Sequence, residues 1–365
     1  MNRKIHFERM RETGRVIIPL IKDAYSKIGS QHQYLLNSLN FIVNKRTNDN
    51  QCLLRPYLVR LGFELAGGNN WIDIAPACAA VEIFNISTYQ ANIVFDNKNG
   101  ICSDEVQKNN QFISSMISRE LAIDTIWKLR KCYAGKIISQ IIDGFHMTNR
   151  DIYIGQFYDL NVLTVNNLNL FMPEDEYLSL YLQRCESLSG NFISLCFEIG
   201  CLLGRCDDYQ ITVLKEIGII LGIAGQIVND LSDFIPTSNF TEVYKSYHSD
   251  LKMGKITYPF FCLLKESSNE QKLKLLNILN QKEQMTLNEI KILINYLNQS
   301  RAIIKTRKLI LSLYKQLKRE IRKIKKSEYR NFLSLSFSII STNKYLASFR
   351  SYKPNGENLC NVKKE

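Results

Sequence analysis

The stretch at 222–234, Gly-Ile-Ala-Gly-Gln-Ile-Val-Asn-Asp-Leu-Ser-Asp-Phe, constrains this chain more than any other. Its apolar residues recur at helical spacing, and it ends in Asn229, Asp230 and Asp233. A helix carries positions i, i+1 and i+4 toward one side, so three oxygen-bearing side chains are expected to converge on a hard cation. Nineteen residues beyond Asp233 the chain reads Lys-Met-Gly-Lys-Ile-Thr-Tyr-Pro from Lys252 to Pro259, with Lys255, a glycine break and a helix-starting proline together. An acidic helix end followed by a placed lysine suits a magnesium-bridged diphosphate. Solvated acids at a helix C-terminus are the plainer reading of the same residues.

The rest of the chain also reads as helices. Helical periodicity covers 15–28, 33–43, 54–65, 74–95, 112–130, 134–160, 174–203, 210–234 and 259–264, and continues with breaks from about 288 to 345. The segment 74–95 is long and nearly uncharged, so it is expected at the centre. No stretch alternates with period two, and no repeat stands out. The expected fold is all-α, a bundle of ten or more helices. No linker interrupts it, so one domain is expected over 1–350, with a loose polar tail at 351–365.

Composition removes several classes of protein. Ten cysteines without metal-type spacing, and four histidines, fit buried thiols in a cytoplasmic protein better than a disulfide frame or a zinc site. No apolar segment of signal-peptide kind follows the charged N-terminus, and no run of eighteen apolar residues occurs. The formal charge of +12 is concentrated at 305–326, where Ile310, Leu313, Leu317 and Ile321 keep an apolar stripe beneath a basic face. That face is expected to be solvated, with weak membrane-surface contact as the alternative. No aromatic interleaving favours nucleic acid.

Five separated pieces, in order, resemble the trans-isoprenyl diphosphate synthase family, whose fold is shared with class I terpene synthases. Leu54-Arg55-Pro56 resembles the family's Lys-Arg-x-Arg-Pro opening. The run from Val81 to Asp96 resembles the helix bearing the first aspartate-rich motif. Gly155-Gln156-Phe157-Tyr158-Asp159-Leu160 is similar to Gly-Gln-x-x-Asp-Leu, and Tyr177 to Leu188 resembles the Tyr-(six residues)-Lys-Thr helix. Residues 226–233, with Lys255, resemble the second aspartate-rich motif and its following lysine. The resemblance implies an isoprenoid-synthase-type bundle around an apolar cavity, and a homodimer. It also implies an allylic diphosphate ionised by about three magnesium ions.

Residue by residue, the resemblance implies metal ligands at Asn92, Asp96, Asn229, Asp230 and Asp233, with Gln226 alongside. Diphosphate contacts are implied at Arg55, Lys98, Arg184, Lys255, Gln156 and Asp159. The departures shape the functional expectation. The first motif reads Asn92-Ile-Val-Phe-Asp96 where the family has Asp-Asp-x-x-Asp, and the second has lost one acid of three. In the isopentenyl diphosphate site the family's lysine falls on Cys52 and its histidine on Asn85. The main expectation is therefore a terpene-synthase-like enzyme that cyclises one allylic diphosphate or eliminates its diphosphate. The alternatives are a chain-elongating prenyltransferase and a non-catalytic partner subunit. Some four extra residues between Arg184 and Glu198 predict a bulge or a longer helix.

Overall fold

The computed structural model describes residues 3–47, 52–96, 105–234 and 248–341, and these are helical almost throughout. In order the helices are α1 (Arg3–Gln31), α2 (Gln33–Arg46), α3 (Leu54–Leu65), α4 (Ala75–Phe95), α5 (Glu105–Trp127), α6 (Gly135–Phe157), α7 (Glu174–Cys185) and α8 (Asn191–Gly204). They continue as α9 (Asp208–Ser232), α10 (Ser249–Lys252), α11 (Tyr258–Glu266), α12 (Asn269–Asn280), α13 (Leu287–Gln299), α14 (Ala302–Lys323) and α15 (Glu328–Ser341). Among the described residues the only β pairing is an isolated bridge between Thr164 and Lys255.

Local chemistry sets several boundaries. Pro76 and Pro259 sit in the first turns of α4 and α11, where a missing N–H costs nothing. Ser268 with Gln271, and Thr286 with Glu289, form reciprocal capping boxes at the starts of α12 and α13. A π-helical turn, Glu186–Gly190, stands between α7 and α8, in the stretch where the sequence predicts a bulge or a longer helix. A widened turn absorbs an insertion without breaking the helix.

The contacts divide the chain into two compact units. The first comprises 1–155, 186–222 and 316–335. At its core α4 packs on α5 and α3 on α8. Helices α3 and α8 approach closely because Gly62 and Gly200 face each other: a Cβ on Gly200 would lie 2.2 Å from the Val59 carbonyl oxygen. Phe84 of α4 meets Phe145 and Phe192 edge-on at 5.1 and 5.0 Å. Helix α1 is tied to α3 by ion pairs of Arg9 with Glu64 and of Arg60 with Glu12 and Glu64.

The second unit comprises 156–185, 223–315 and 336–365. Here α11 packs against α7 and α13, and Tyr177 stacks on Phe261 at 3.7 Å. Two segments, Glu174–Gly204 and Asp208–Ser232, are long and apolar enough by composition to cross a membrane. In each, 61% of the window is buried inside the protein, which accounts for its apolarity. The tail at 351–365 lies outside the described residues.

Candidate active site

The second unit holds a buried charge cluster assembled from four segments. Asp159 lies on a π-helical turn, Tyr158–Val162, that follows α6. Arg184 occupies the last turn of α7, Asp230 the last turns of α9, and Lys255 the strand-like segment before α11. That segment is held by a short ladder: Val165 N–H donates to the Gly254 carbonyl and Ile256 N–H to the Leu163 carbonyl, at 2.9 and 2.8 Å. Gly254 has φ +69°, a conformation that strains any residue with a side chain. The glycine break noted in the sequence therefore aims Lys255.

Arg184 sits at the centre. It donates to Asp159 Oδ1 from Nε at 2.7 Å and pairs with it through Nη2 at 2.5 Å, while Nη1 donates to Asp230 Oδ2 at 2.6 Å. Lys255 Nζ lies 2.5 Å from Asp159 Oδ2 and 3.3 Å from Asp250 Oδ1. The remaining acceptors of Asp230 are filled by Tyr181 Oη at 2.7 Å and Gln226 Nε2 at 2.9 Å. Asp230 is wholly buried, and Arg184, Lys255 and Asp159 nearly so. Buried charges persist only when paired and hydrogen-bonded, and here each is.

The two carboxyls differ in electrostatics. Burial works to raise Asp159, but Arg184 and Lys255 outweigh it and hold the carboxyl below its usual range. Burial raises Asp230, and its share of Arg184 does not compensate. Burial and Asp230 together push the Tyr181 hydroxyl well above its usual range, so it stays neutral and donates. Arg184 and Lys255 face Asp159, Asp230 and Asp250, so two cations nearly balance three carboxylates. An arriving polyanion would draw the cations and leave the carboxylates in need of positive charge, which is a setting for divalent metal.

The residues expected from the sequence divide accordingly. Gln226, Asp230, Asp159, Arg184 and Lys255 are brought together. Gln156 is buried with its Nε2 lacking a partner, as is Thr257 Oγ1 two residues beyond Lys255. Orphan donors of this kind suit a phosphate oxygen. Asp233 turns inward: its Oδ2 accepts the Leu251 N–H at 3.0 Å and its carbonyl meets His248 Nδ1. Asn229 does not share the face of Asp230. It is exposed, because adjacent helical positions lie about 100° apart.

In the first unit, Asn92 and Asp96 are half-buried at the end of α4, and the Asn92 carbonyl accepts the Asp96 N–H at 2.9 Å. The Arg55 guanidinium lies 4.7 Å over Phe192, with Nε buried and unpartnered. Lys98 lies outside the described residues. Asn85 is absorbed into the core: its Nδ2 donates to both oxygens of Glu82, at 3.2 Å each, and Arg46 holds Glu82 at 2.7 Å. Tyr89, a candidate pocket floor by its place before the first motif, is 42% exposed and covers Arg46. Sequence reasoning missed Tyr181 and Asp250; Tyr181 was legible, standing one turn before Arg184 on α7.

The ligand atoms that the Asp230 and Asp233 side chains themselves offer are oxygens, which suits magnesium in chemistry. Asp230 is turned onto Arg184, and the described residues contain no ready-made cluster of three metal-ligating side chains. A metal ion here must compete with a guanidinium for that carboxylate.

The second unit is helical and holds a buried lysine–arginine–aspartate cluster, and the comparisons place the chain in a family. Residues 109–297 match the model of the polyprenyl synthetase family, and the chain belongs to that family. It is 25% identical to geranylgeranyl diphosphate synthase of Saccharolobus solfataricus over 235 residues, covering 63% of this chain and 68% of that protein. It is 29% identical to heptaprenyl diphosphate synthase component 2 of Bacillus subtilis over 111 residues, 30% of this chain and 31% of that protein. The matched part thus spans about a third of the Bacillus relative. In structure the chain is similar to geranylgeranyl pyrophosphate synthetase from Pyrococcus horikoshii, with a TM-score of 0.75 and 17% identity over 93% of this chain and 99% of that one. It is also similar to polyprenyl synthase from Caulobacter crescentus, solved with calcium and isoprenyl diphosphate, with a TM-score of 0.69 and 16% identity over 88% and 97%.

Proposed function

We infer that this chain binds an allylic prenyl diphosphate at the Asp159–Arg184–Asp230–Lys255 cluster, ionises it, and joins the prenyl cation to isopentenyl diphosphate. The observation that carries the reading is the cluster itself: four family motif positions meet in a buried array that sets two cations, Arg184 and Lys255, among carboxylates. The names of the relatives support chain elongation over the cyclisation expected from the sequence.

Lys255 and Arg184 would take the diphosphate oxygens, with Gln156 and Thr257 filling the remaining acceptors. Arg184, forked between two carboxylates, holds the cluster in place before substrate arrives and must loosen from them to meet the diphosphate. Asp230 and Asp233, both in the second unit, would hold magnesium. When bound, that metal supplies the Lewis acidity that takes up leaving-group charge. The neutral Tyr181 hydroxyl keeps Asp230 oriented.

A second reading, cyclisation of a single substrate, is favoured by Asn85. Where the family has a histidine for isopentenyl diphosphate, this chain has an amide bonded to Glu82. Incubation with geranyl, farnesyl or geranylgeranyl diphosphate and magnesium, with and without isopentenyl diphosphate, separates the readings by product mass. A longer diphosphate formed only with isopentenyl diphosphate is the expected result. Hydrocarbon or alcohol formed without it would move the assignment to the cyclase, and turnover only after adding a second prenyl synthase would make the chain a partner subunit.

Homodimerisation belongs to the same proposal. It is supported by large apolar side chains left exposed on α5, namely Phe112, Ile113 and Met116. Weak contact of the basic face at 305–326 with anionic lipid is also proposed, since Lys315, Lys318, Arg319, Arg322 and Lys323 are all exposed. No nucleic-acid partner and a cytoplasmic location complete the reading.

A further inference from the structure

The end of α8 brings two cysteines together. Helix α8 terminates with Arg205 in the left-handed region at φ +61°. The Cys206 N–H donates back to the Cys201 carbonyl at 2.9 Å, and the Arg205 N–H to the Leu202 carbonyl at 3.3 Å. These two bonds, six-to-one and five-to-two, define a Schellman termination. In that geometry the first and last residues of the motif lie side by side, a place ordinarily taken by an apolar contact. Here both are cysteines.

The two thiols differ as a reactive pair should. Cys201 is fully buried, whereas Cys206 is half-exposed. The Cys201 thiol beside it holds Cys206 below the usual thiol range, and contact with Cys206, then burial, pushes Cys201 well above it. Elsewhere burial raises the thiols of Cys78, Cys185, Cys196 and Cys262, the last three to about 12. A thiol held low and open to solvent reacts first, and a neighbour resolves it.

We propose that Cys201 and Cys206 are a redox modification site, closing reversibly into a disulfide across the end of α8 on meeting a small-molecule disulfide. The Cys206 thiolate attacks one sulfur of oxidised glutathione, forming a mixed disulfide and expelling one glutathione thiolate. Cys201 then gives its proton to that thiolate and attacks the Cys206 sulfur, expelling the second glutathione. Two protein thiols are oxidised and one glutathione disulfide is reduced to two thiols. The backbone needs little movement: the Schellman bonds hold both residues, and Gly200 seats the preceding turn against α3. Pre-placement of this kind favours the internal bond over a lasting glutathione adduct.

The test incubates the full folded chain with glutathione mixtures of graded ratio, blocks free thiols by rapid alkylation, and maps tryptic peptides by mass spectrometry. Arg205 lies between the two cysteines, so trypsin separates them and only a disulfide keeps the peptides joined. The expected result is a Cys201–Cys206 linked pair that is lost on reduction. Cys201→Ser should leave Cys206 carrying glutathione, and Cys206→Ser should abolish oxidation at Cys201. The proposal is overturned by a persistent glutathione adduct on wild-type Cys206, by Cys206 linked to Cys185, Cys196 or a second chain, or by no reaction at Cys206. Oxidation of Cys201 undiminished in Cys206→Ser would also overturn it.

Discussion

Arg184→Met probes the electrostatics of the cluster most sharply. The guanidinium reaches Asp159 at 2.5 and 2.7 Å and Asp230 at 2.6 Å, with all three side chains buried. Asp159 keeps Lys255 at 2.5 Å, so the loss falls on Asp230, left with the neutral donors Tyr181 and Gln226. Removing one partner of a buried pair costs about 3–5 kcal/mol. An unfolding entropy of about 2.1 cal/mol/K per residue converts that, for 365 residues, into a melting shift of about 4–6.5 °C. Adding Asp230→Asn neutralises the stranded carboxyl and should restore about 1–3 kcal/mol of the loss.

The pH dependence of that loss has a definite sign. Burial already raises Asp230, and without Arg184 it rises further. A carboxyl raised in the folded state binds its proton more tightly there than in the unfolded chain. The penalty is therefore full at neutral pH and shrinks as pH falls through the raised value toward the ordinary 3.8. Scanning calorimetry at neutral and mildly acidic pH measures both effects. A shift below about 1 °C, a shift independent of pH, or a double variant no more stable than Arg184→Met would refute the reasoning.

Other variants test the neighbouring elements. Cys52→Lys, at an exposed position where the family carries lysine, should tighten isopentenyl diphosphate binding by about 1.5–3 kcal/mol in calorimetry. Asn85→His should not, because Glu82 and Arg46 enclose that position. His6 is buried against Phe332 and Tyr57, and burial, then Arg9, lower it from 6.5 to about 4. Below pH 6.5 the unfolded chain takes up this proton while the folded one resists, so stability should fall from pH 6.5 toward 4. His6→Gln should flatten that part of a melting-temperature profile. Gly200→Ala places a methyl 2.2 Å from a backbone oxygen and should cost about 1–3 kcal/mol or more, read as a drop in the urea midpoint.

The helices were legible where apolar periodicity ran unbroken. The segment at 74–95 is long and uncharged, and it forms α4 at Ala75–Phe95. Helix α1 begins at Arg3 rather than at 15, because its first turns look like a charged tail yet carry Arg9 and Glu12, which pair with α3. The run at 174–203 reads as one helix; the π-helical turn at Glu186–Gly190 shows only as a length mismatch with the family. At the site, the family resemblance pointed to Asp159, Arg184, Asp230 and Lys255, but a motif says nothing of which partner each selects. The pairing of Arg184 with Asp230 joins residues 46 apart in sequence. The burial of Asn85 depends on Arg46 arriving from α2, which no local pattern announces.

Titration of the wild-type chain and of Lys255→Met with farnesyl diphosphate and magnesium, in the absence of isopentenyl diphosphate, tests the central claim most directly. Losing one charge-assisted contact should weaken binding by about 1.5–3 kcal/mol, which is about 10- to 150-fold in Kd. Equal affinity in the two proteins, with Lys255→Met still folded, would mean that the buried cluster is not where the diphosphate sits.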